Sequence, residues 1–293
     1  MKNLKLTWTA LITPFKNGNI DWSSLQKLVQ QQVQGGIDGF VVNGTTAESP
    51  NLSEDEVEKL FLQIRQWLGK DFPLMLGTGS NSTQKTIETT LKAQKLGADA
   101  ALVVVPYYNK PPQRGLFEHF KAVANKTDLP IVLYNVPSRT ITSLEYETIL
   151  ALSEIKNIVG VKEASADMGL LHKLKKNTPT DFVLLSGDDG SYVEFLKNGG
   201  HGVISVSSHI IPSAMVNWKK WIQAGEPIKA EEDLQKYKEL IDLLFIEANP
   251  IPLKKALQLM GIIDSAELRL PLVELPTEKT MTMKKVLQAK GLL

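Results

Sequence analysis

The chain has 293 residues, 43% of them hydrophobic, enough to bury one large core or two modest ones. Lysine and arginine total 33 against 32 aspartates and glutamates, and a net charge of +1 provides no field to draw the protein onto nucleic acid or an anionic membrane. The absence of cysteine excludes disulfides, thiolate metal sites and cysteine nucleophiles, and His119, His172, His201 and His209 lack the HxxxH or HExxH spacing of a zinc site.

The N-terminus carries Lys2 and Lys5 but no long apolar stretch or small-residue cleavage site, so it does not read as a signal peptide. No segment approaches the roughly 18 apolar residues a membrane span needs. A soluble cytoplasmic protein is expected.

Taken in chain order, short apolar runs alternate with amphipathic stretches. The first run is 6–12. Asp21 then caps a helical stripe of Leu25, Leu28, Val29 and Val33, which Gly35-Gly36 ends. The second run is 39–43, and Ser53 with Glu56 makes a capping box ahead of Val57, Leu60, Phe61 and Ile64. Runs at 73–77 and 100–105 follow, with Gly97 as a helix stop between them. Ala101-Leu102-Val103-Val104-Val105 is unbroken, which suits a parallel strand covered on both faces. The last runs are 131–134, 158–161, 182–186 and 203–206. Eight strand–helix units with short connections predict an α/β fold, a (β/α)8 TIM barrel over 1–225. Beyond Gly225 the pattern is helical only, at 230–246, 252–260 and 280–289. This region, 226–293, is expected to pack on the barrel, with Asn249-Pro250-Ile251-Pro252 breaking its first helix from its second. The pairs Lys219-Lys220, Lys254-Lys255 and Lys284-Lys285 read as solvated helix faces.

In such a barrel the C-terminal strand ends and the loops after them form the active-site mouth. The second strand ends in Gly44-Thr45-Thr46-Ala47-Glu48, the fourth in Pro106-Tyr107-Tyr108-Asn109 and the fifth in Tyr134-Asn135-Val136-Pro137-Ser138-Arg139. The sixth ends in Lys162-Glu163 and the seventh in Gly187-Asp188-Asp189. Lys162 stands out, because the rest of its strand, Ile158-Val159-Gly160-Val161, is apolar. Either it pairs with Asp188, Asp189 or a neighbouring glutamate, or it is a Schiff-base nucleophile. The second role needs a neutral amine. At an unperturbed pKa of about 10.4 only roughly one lysine in 2500 is neutral at pH 7, and burial of an amine raises that fraction.

Tyr134, on the adjacent strand, is placed to shuttle protons at an imine, or is an ordinary half-buried tyrosine. The Thr45-Thr46 turn offers N–H groups and hydroxyls to a carboxylate, or is a plain turn. Arg139 offers a fork to a second carboxylate, or pairs with a surface acid. Tyr107-Tyr108 reads as an interface. Gly199-Gly200-His201-Gly202 looks like a phosphate loop but precedes the eighth strand, so it belongs to the bottom face as a helix stop and tight turn.

Set in their surroundings, these residues resemble the dihydrodipicolinate synthase family of pyruvate-dependent class I aldolases, a superfamily that includes N-acetylneuraminate lyase. The stretches that carry the resemblance are Gly44-Thr45-Thr46-Ala47-Glu48-Ser49, Pro106-Tyr107-Tyr108-Asn109, Leu133-Tyr134-Asn135-Val136-Pro137-Ser138-Arg139-Thr140, Gly160-Val161-Lys162-Glu163-Ala164, Leu185-Ser186-Gly187-Asp188-Asp189 and Asn249-Pro250-Ile251-Pro252. It extends over essentially the whole chain. The resemblance implies an imine between Lys162 and pyruvate, whose enamine attacks L-aspartate-4-semialdehyde on the diaminopimelate route to L-lysine. Tyr134 would be proton donor and acceptor, linked through Thr45 to Tyr108 of a neighbouring subunit. Thr45 and Thr46 would hold the pyruvate carboxylate and Arg139 the carboxylate of the semialdehyde, with Gly187 and Ile204 completing the substrate site. No metal or organic cofactor is implied, and the usual assembly is a homotetramer, a dimer of dimers.

Two positions depart from the family pattern. Ala47 stands where glycine is frequent, which the turn tolerates if φ stays negative. The L-lysine inhibitor site of regulated relatives matches Ser49, Glu54, Val57, Asn81, Lys85 and Tyr107. Those relatives commonly have histidines at the positions of Glu54 and Val57 and a glutamate at that of Lys85. A cation at position 85 repels the inhibitor's ammonium group, so weak or absent inhibition is expected. A sugar-acid aldolase of the superfamily would keep the same lysine and tyrosine, but Thr45-Thr46 and Arg139 favour a dicarboxylate product. A catalytically dead barrel is expected to have lost Lys162, Tyr134 or the tyrosine relay. A phosphate-binding isomerase would need a glycine-rich turn after strands seven and eight.

Overall fold

An apolar strand without a polar face must be covered on both sides, and the eight runs meet that need by closing on one another. The computed structural model describes residues 2–293. β1 (Thr7–Ala10) leads into a small antiparallel hairpin, β2 (Phe15–Lys16) and β3 (Asn19–Ile20), which the apolar pattern does not announce. Then come β4 (Gly39–Val42), β5 (Leu74–Gly77), β6 (Ala100–Val104), β7 (Ile131–Asn135), β8 (Ile158–Glu163), β9 (Val183–Ser186) and β10 (Gly202–Ser205). Apart from the hairpin, these strands form one closed parallel barrel in the order β1-β10-β9-β8-β7-β6-β5-β4, with β4 pairing back to β1. This is the TIM barrel expected from the apolar runs.

The outer ring holds α1 (Trp22–Gln34), α2 (Glu54–Leu68), α3 (Thr83–Lys95), α4 (Gln113–Ala124) and a single turn, α5 (Pro137–Thr140). It continues through α6 (Tyr146–Ser153), α7 (Met168–Asn177), α8 (Tyr192–Lys197) and α9 (Pro212–Gln223). The Asp21 carboxylate accepts from the Ser24 N–H at the start of α1, and Ser53 with Glu56 closes the capping box of α2.

Alternation along the strands divides the core in two. Ile131 and Leu133 of β7 pack with the helices, whereas Val132 and Tyr134 join Trp8, Val41, Met75, Leu102, Leu185 and Ile204 inside the barrel. After the barrel, α10 (Pro227–Leu243) packs along α8 and α9, and α12 (Thr277–Ala289) packs on α10 and on α11 (Ile251–Leu259). α10 and α12 start earlier than their apolar stripes, because α10 opens on Pro227 and the exposed Ile228 and α12 on the polar Thr277-Glu278-Lys279, none of which adds to the buried stripe.

One reading is corrected. Lys254 of α11 is fully buried in an ion pair with Glu48, and Lys255 pairs with Glu274. They do not form a solvated face, because chain from 264–275 covers that side of the helix, which periodicity cannot foresee. Lys219 is half-buried, whereas Lys284 and Lys285 are exposed. Among the described residues no helix is long and apolar enough to cross a membrane, and no group of three or more His, Cys, Asp or Glu side chains is gathered as a metal site.

Candidate active site

β7 and β8 lie side by side, and their parallel register sets Tyr134 opposite Lys162 and Asn135 opposite Glu163. Alternation sends the first pair into the barrel and the second to the opposite face. Lys162 is only 6% exposed, and its Nζ lies 4.0 Å from the centroid of the Tyr134 ring. On the other face Asn135 Nδ2 donates to Glu163 Oε2 at 2.7 Å, the Ser165 N–H donates to Glu163 Oε1 at 2.7 Å, and the Leu144 N–H donates to Asn135 Oδ1 at 2.9 Å. Burial pushes the Glu163 carboxyl above its ordinary range, and these hydrogen bonds oppose that shift. The lock holds the ends of β7 and β8 level, and with them Tyr134 and Lys162.

The two readings of Lys162 separate on its acidic neighbours. Asp188 accepts from the Ser191 N–H and hydroxyl at 2.8 and 2.6 Å. Asp189 accepts from the N–H groups of Val206 and Ser207 at 3.0 and 2.7 Å. Glu163 is taken up by Asn135 and Ser165. Among the described residues no carboxylate pairs with Lys162, whereas the other deeply buried lysine, Lys254, has Glu48.

Gly187 follows β9, and its N–H donates to the Glu163 carbonyl at 2.7 Å. A Cβ there would stand 2.6 Å from the Ala164 Cβ and 3.0 Å from the Lys162 Cε, so only glycine leaves the lysine its space. Ile204 of β10 is buried in the inner core that also holds Tyr134.

After β4, Thr45–Ala47 forms a 3-10 turn, closed by the Ala47 N–H on the Gly44 carbonyl at 3.0 Å and the Glu48 N–H on the Thr45 carbonyl at 3.1 Å. The N–H groups of Thr45 and Thr46 head the turn and find no partner inside it. Glu48, with φ 59°, takes the left-handed conformation, and Ala47 does not, so alanine suits position 47. Thr45 is half-buried; Thr46 is buried, its hydroxyl accepting from Asn249 Nδ2 at 2.8 Å.

Arg139 is exposed on α5 and pairs with no acid among the described residues; its Nη2 donates to the Asn249 carbonyl at 3.3 Å. The next turn is strained: Ile141, β-branched and 74% exposed, has φ 64° and ψ −38°. Tyr108 is 88% exposed with φ 75°, so within one chain it stands apart from the lumen.

A cavity of about 240 Å³ is lined by Thr45, Tyr134 and Tyr107 and extends to Ser49, Glu54, Val57 and Lys85. Asn81 is not among its lining residues; the Asn81 carbonyl accepts from Asn109 Nδ2 at 2.8 Å. The glycine-rich stretch 199–202 joins α8 to the start of β10, at the end of the barrel away from Lys162.

Asn249 and the Glu48–Lys254 pair were not foreseen. Asn249-Pro250-Ile251-Pro252 is visible as a helix break, but nothing in its spacing says that Asn249 reaches Thr46, 203 residues earlier.

The model of the Dihydrodipicolinate synthetase family matches residues 3–290. The 4-hydroxy-tetrahydrodipicolinate synthase of Bdellovibrio bacteriovorus is 60% identical over 293 residues, covering 100% of both chains. Among solved structures, the dihydrodipicolinate synthase of Thermotoga maritima aligns with a TM-score of 0.96 at 42% identity, covering 98% of this chain and 99% of that one. The chloride-inhibited dihydrodipicolinate synthase from Acinetobacter baumannii, complexed with pyruvate, has a TM-score of 0.96 at 40% identity, covering 99% of this chain and 100% of that one. With its barrel matched from end to end, the chain belongs to the dihydrodipicolinate synthetase family.

Proposed function

We propose that Lys162 is the imine-forming nucleophile in the synthesis of 4-hydroxy-tetrahydrodipicolinate from pyruvate and L-aspartate-4-semialdehyde. The reaction is that of the full-length relative at 60% identity, a lyase of the class I aldolase type. The observation that carries the residue assignment is a buried lysine without a carboxylate, stacked on a tyrosine at the mouth of the barrel.

In this reading the Lys162 amine adds to the C2 carbonyl of pyruvate and water leaves. Loss of a C3 proton gives the enamine, which attacks the aldehyde carbon of the semialdehyde. The amino group of that substrate then attacks C2 and displaces Lys162, closing the ring. Tyr134 moves protons at C2 and at the carbinol, with Thr45 connecting it to Tyr108 of a neighbouring subunit. The N–H groups heading the Thr45-Thr46 turn take the pyruvate carboxylate, and Arg139 takes that of the semialdehyde. Pyruvate in the Acinetobacter baumannii relative supports the first substrate.

The same reading makes the protein a cytoplasmic homotetramer, a dimer of dimers, with 1–225 as the catalytic barrel and 226–293 as a helical region upon it. A sugar-acid aldolase has no support among the named relatives. Borohydride trapping with pyruvate, followed by location of the adduct, tests the nucleophile. No adduct at Lys162 overturns the mechanism, and turnover of N-acetylneuraminate in place of aspartate semialdehyde overturns the substrate.

A further inference from the structure

We propose that the buried Glu48–Lys254 ion pair is a positioning device for the carboxylate-binding turn at Thr45 and Thr46, through which the C-terminal region controls pyruvate binding. This rests on the reading of the turn and of Lys162 given above.

Glu48 closes the turn through its N–H, in a left-handed conformation (φ 59°) unfavourable for any residue with a Cβ. Its surroundings must therefore hold it, and they do so through the side chain. The side chains of Glu48 and Lys254 are both fully buried. One Glu48 oxygen accepts from the Lys254 ammonium and the other from the Arg269 N–H at 2.9 Å. Lys254 also donates to the Glu267 carbonyl at 2.9 Å, and its Nζ lies 4.2 Å from the centroid of the Phe15 ring. Arg269 lies 4.3 Å from the same centroid, grips Glu56 with two bonds of 2.6 and 2.8 Å, and donates to the Asn51 carbonyl at 2.8 Å. The segment from Thr46 to Glu56 is thus fastened at four points, by Asn249, Lys254 and Arg269.

Stability alone does not account for such a pair. Desolvating two charges offsets most of their attraction, and well-packed apolar replacements are often as stable. The pair supplies geometry instead. A carboxylate with both oxygens bound has one orientation, and this one is two residues from Thr46. The turn has only two backbone bonds of its own, whereas donors to a small carboxylate must stay within about 0.5 Å of their places.

The test compares full-length wild type with two variants. In Glu48→Leu combined with Lys254→Met no charge is left unpaired, and thermal unfolding stays close to wild type. Half-saturating pyruvate, read from borohydride trapping at Lys162 and from turnover, rises at least about tenfold. Half-saturating aspartate semialdehyde and the trapping rate at saturating pyruvate change little. Glu48→Gln keeps the shape but leaves the buried Lys254 without its counter-charge, so it melts lower than wild type. Assayed below its own melting temperature it gives a smaller rise with the same selectivity for pyruvate, and decides the matter if the double variant does not fold. A folded variant that binds pyruvate as wild type does, or that weakens both substrates equally, overturns the positioning role alone. Wild-type protein that forms no adduct at Lys162 overturns the reading of the site, and this inference with it.

Discussion

Lys162 and Tyr134 meet across neighbouring strands, with 4.0 Å between the amine nitrogen and the ring centroid and every nearby carboxylate committed elsewhere. A lysine so placed has no ion pair to lose. Lys162→Met therefore keeps the thermal stability of wild type or exceeds it, while abolishing the trapped pyruvate adduct and lowering turnover at least about 10³-fold. Lys254→Met has the opposite signature, because it strands the buried Glu48 carboxylate and costs about 3–5 kcal/mol of stability. Calorimetry on the two variants separates them. If Lys162→Met loses as much stability as Lys254→Met, Lys162 is a structural residue.

Tyr134→Phe removes one oxygen from a ring that is otherwise packed in the inner core. The melting temperature stays near wild type, and the adduct still forms, but turnover falls about 10²- to 10⁴-fold, the range of a lost general acid–base. A variant that turns over at the wild-type rate would leave the proton transfers to another group.

How much of this was readable beforehand depends on whether a residue acts locally or at a distance. The eight barrel strands announce themselves because a doubly covered strand is apolar throughout, and Lys162 breaks that rule within six residues of sequence. Asp21 and Ser53 are legible for the same reason, since a cap bonds two or three residues away. Ala47 is expected to suit its turn if φ stays negative, and it does; that the left-handed φ falls on Glu48 instead has no signal in the sequence. Lys254 was misread altogether. Its partner is 206 residues away, and no periodicity in α11 distinguishes a solvated lysine from one sealed by a distant carboxylate.

Tyr108 bears on assembly. In one chain its side chain is 88% exposed, in a backbone conformation that few tyrosines adopt, which fits a side chain offered to another subunit. Two inactive variants, Lys162→Ala and Tyr108→Ala, should then complement each other. In hybrid oligomers the second variant supplies Lys162 and the first supplies Tyr108, so some sites are complete. Recovery of activity on co-expression is expected. Hybrids as inactive as either parent would place Tyr108 in its own subunit's site or outside catalysis.

Inhibition by L-lysine should be weak or absent. Lys85 is exposed beside the cavity that also touches Ser49, Glu54, Val57 and Tyr107, and its charge has no ion-pair partner among the described residues. An incoming ammonium meets a like charge, a cost of several-fold in affinity at least. Lys85→Glu reverses the sign and is expected to increase sensitivity. Strong inhibition of the unmodified protein by sub-millimolar L-lysine would show that Lys85 does not govern the cavity.

His209 gives the fold a dependence on pH. It is fully buried, its Nε2 accepting from the Ile12 N–H at 3.2 Å, so the proton is assigned to Nδ1, which donates to the Val206 carbonyl at 2.8 Å. Burial lowers its pKa to about 4, whereas in the unfolded chain it titrates near 6.5. Between those values the unfolded state binds a proton that the folded state refuses, so stability rises with pH across the window and is complete above it. Acidification toward the lower value removes about 3 kcal/mol. Asp189 works in the other direction, since burial raises its carboxyl and favours a proton in the folded state. The informative quantity is therefore a difference between proteins. His209→Gln is less stable than wild type at neutral pH, but it loses less melting temperature between about pH 7 and about pH 5, because it has no imidazole to protonate on unfolding. Parallel pH profiles for the two proteins would mean that His209 takes up a proton in the fold as readily as in the unfolded chain, so that the Ile12 N–H loses its acceptor on acidification.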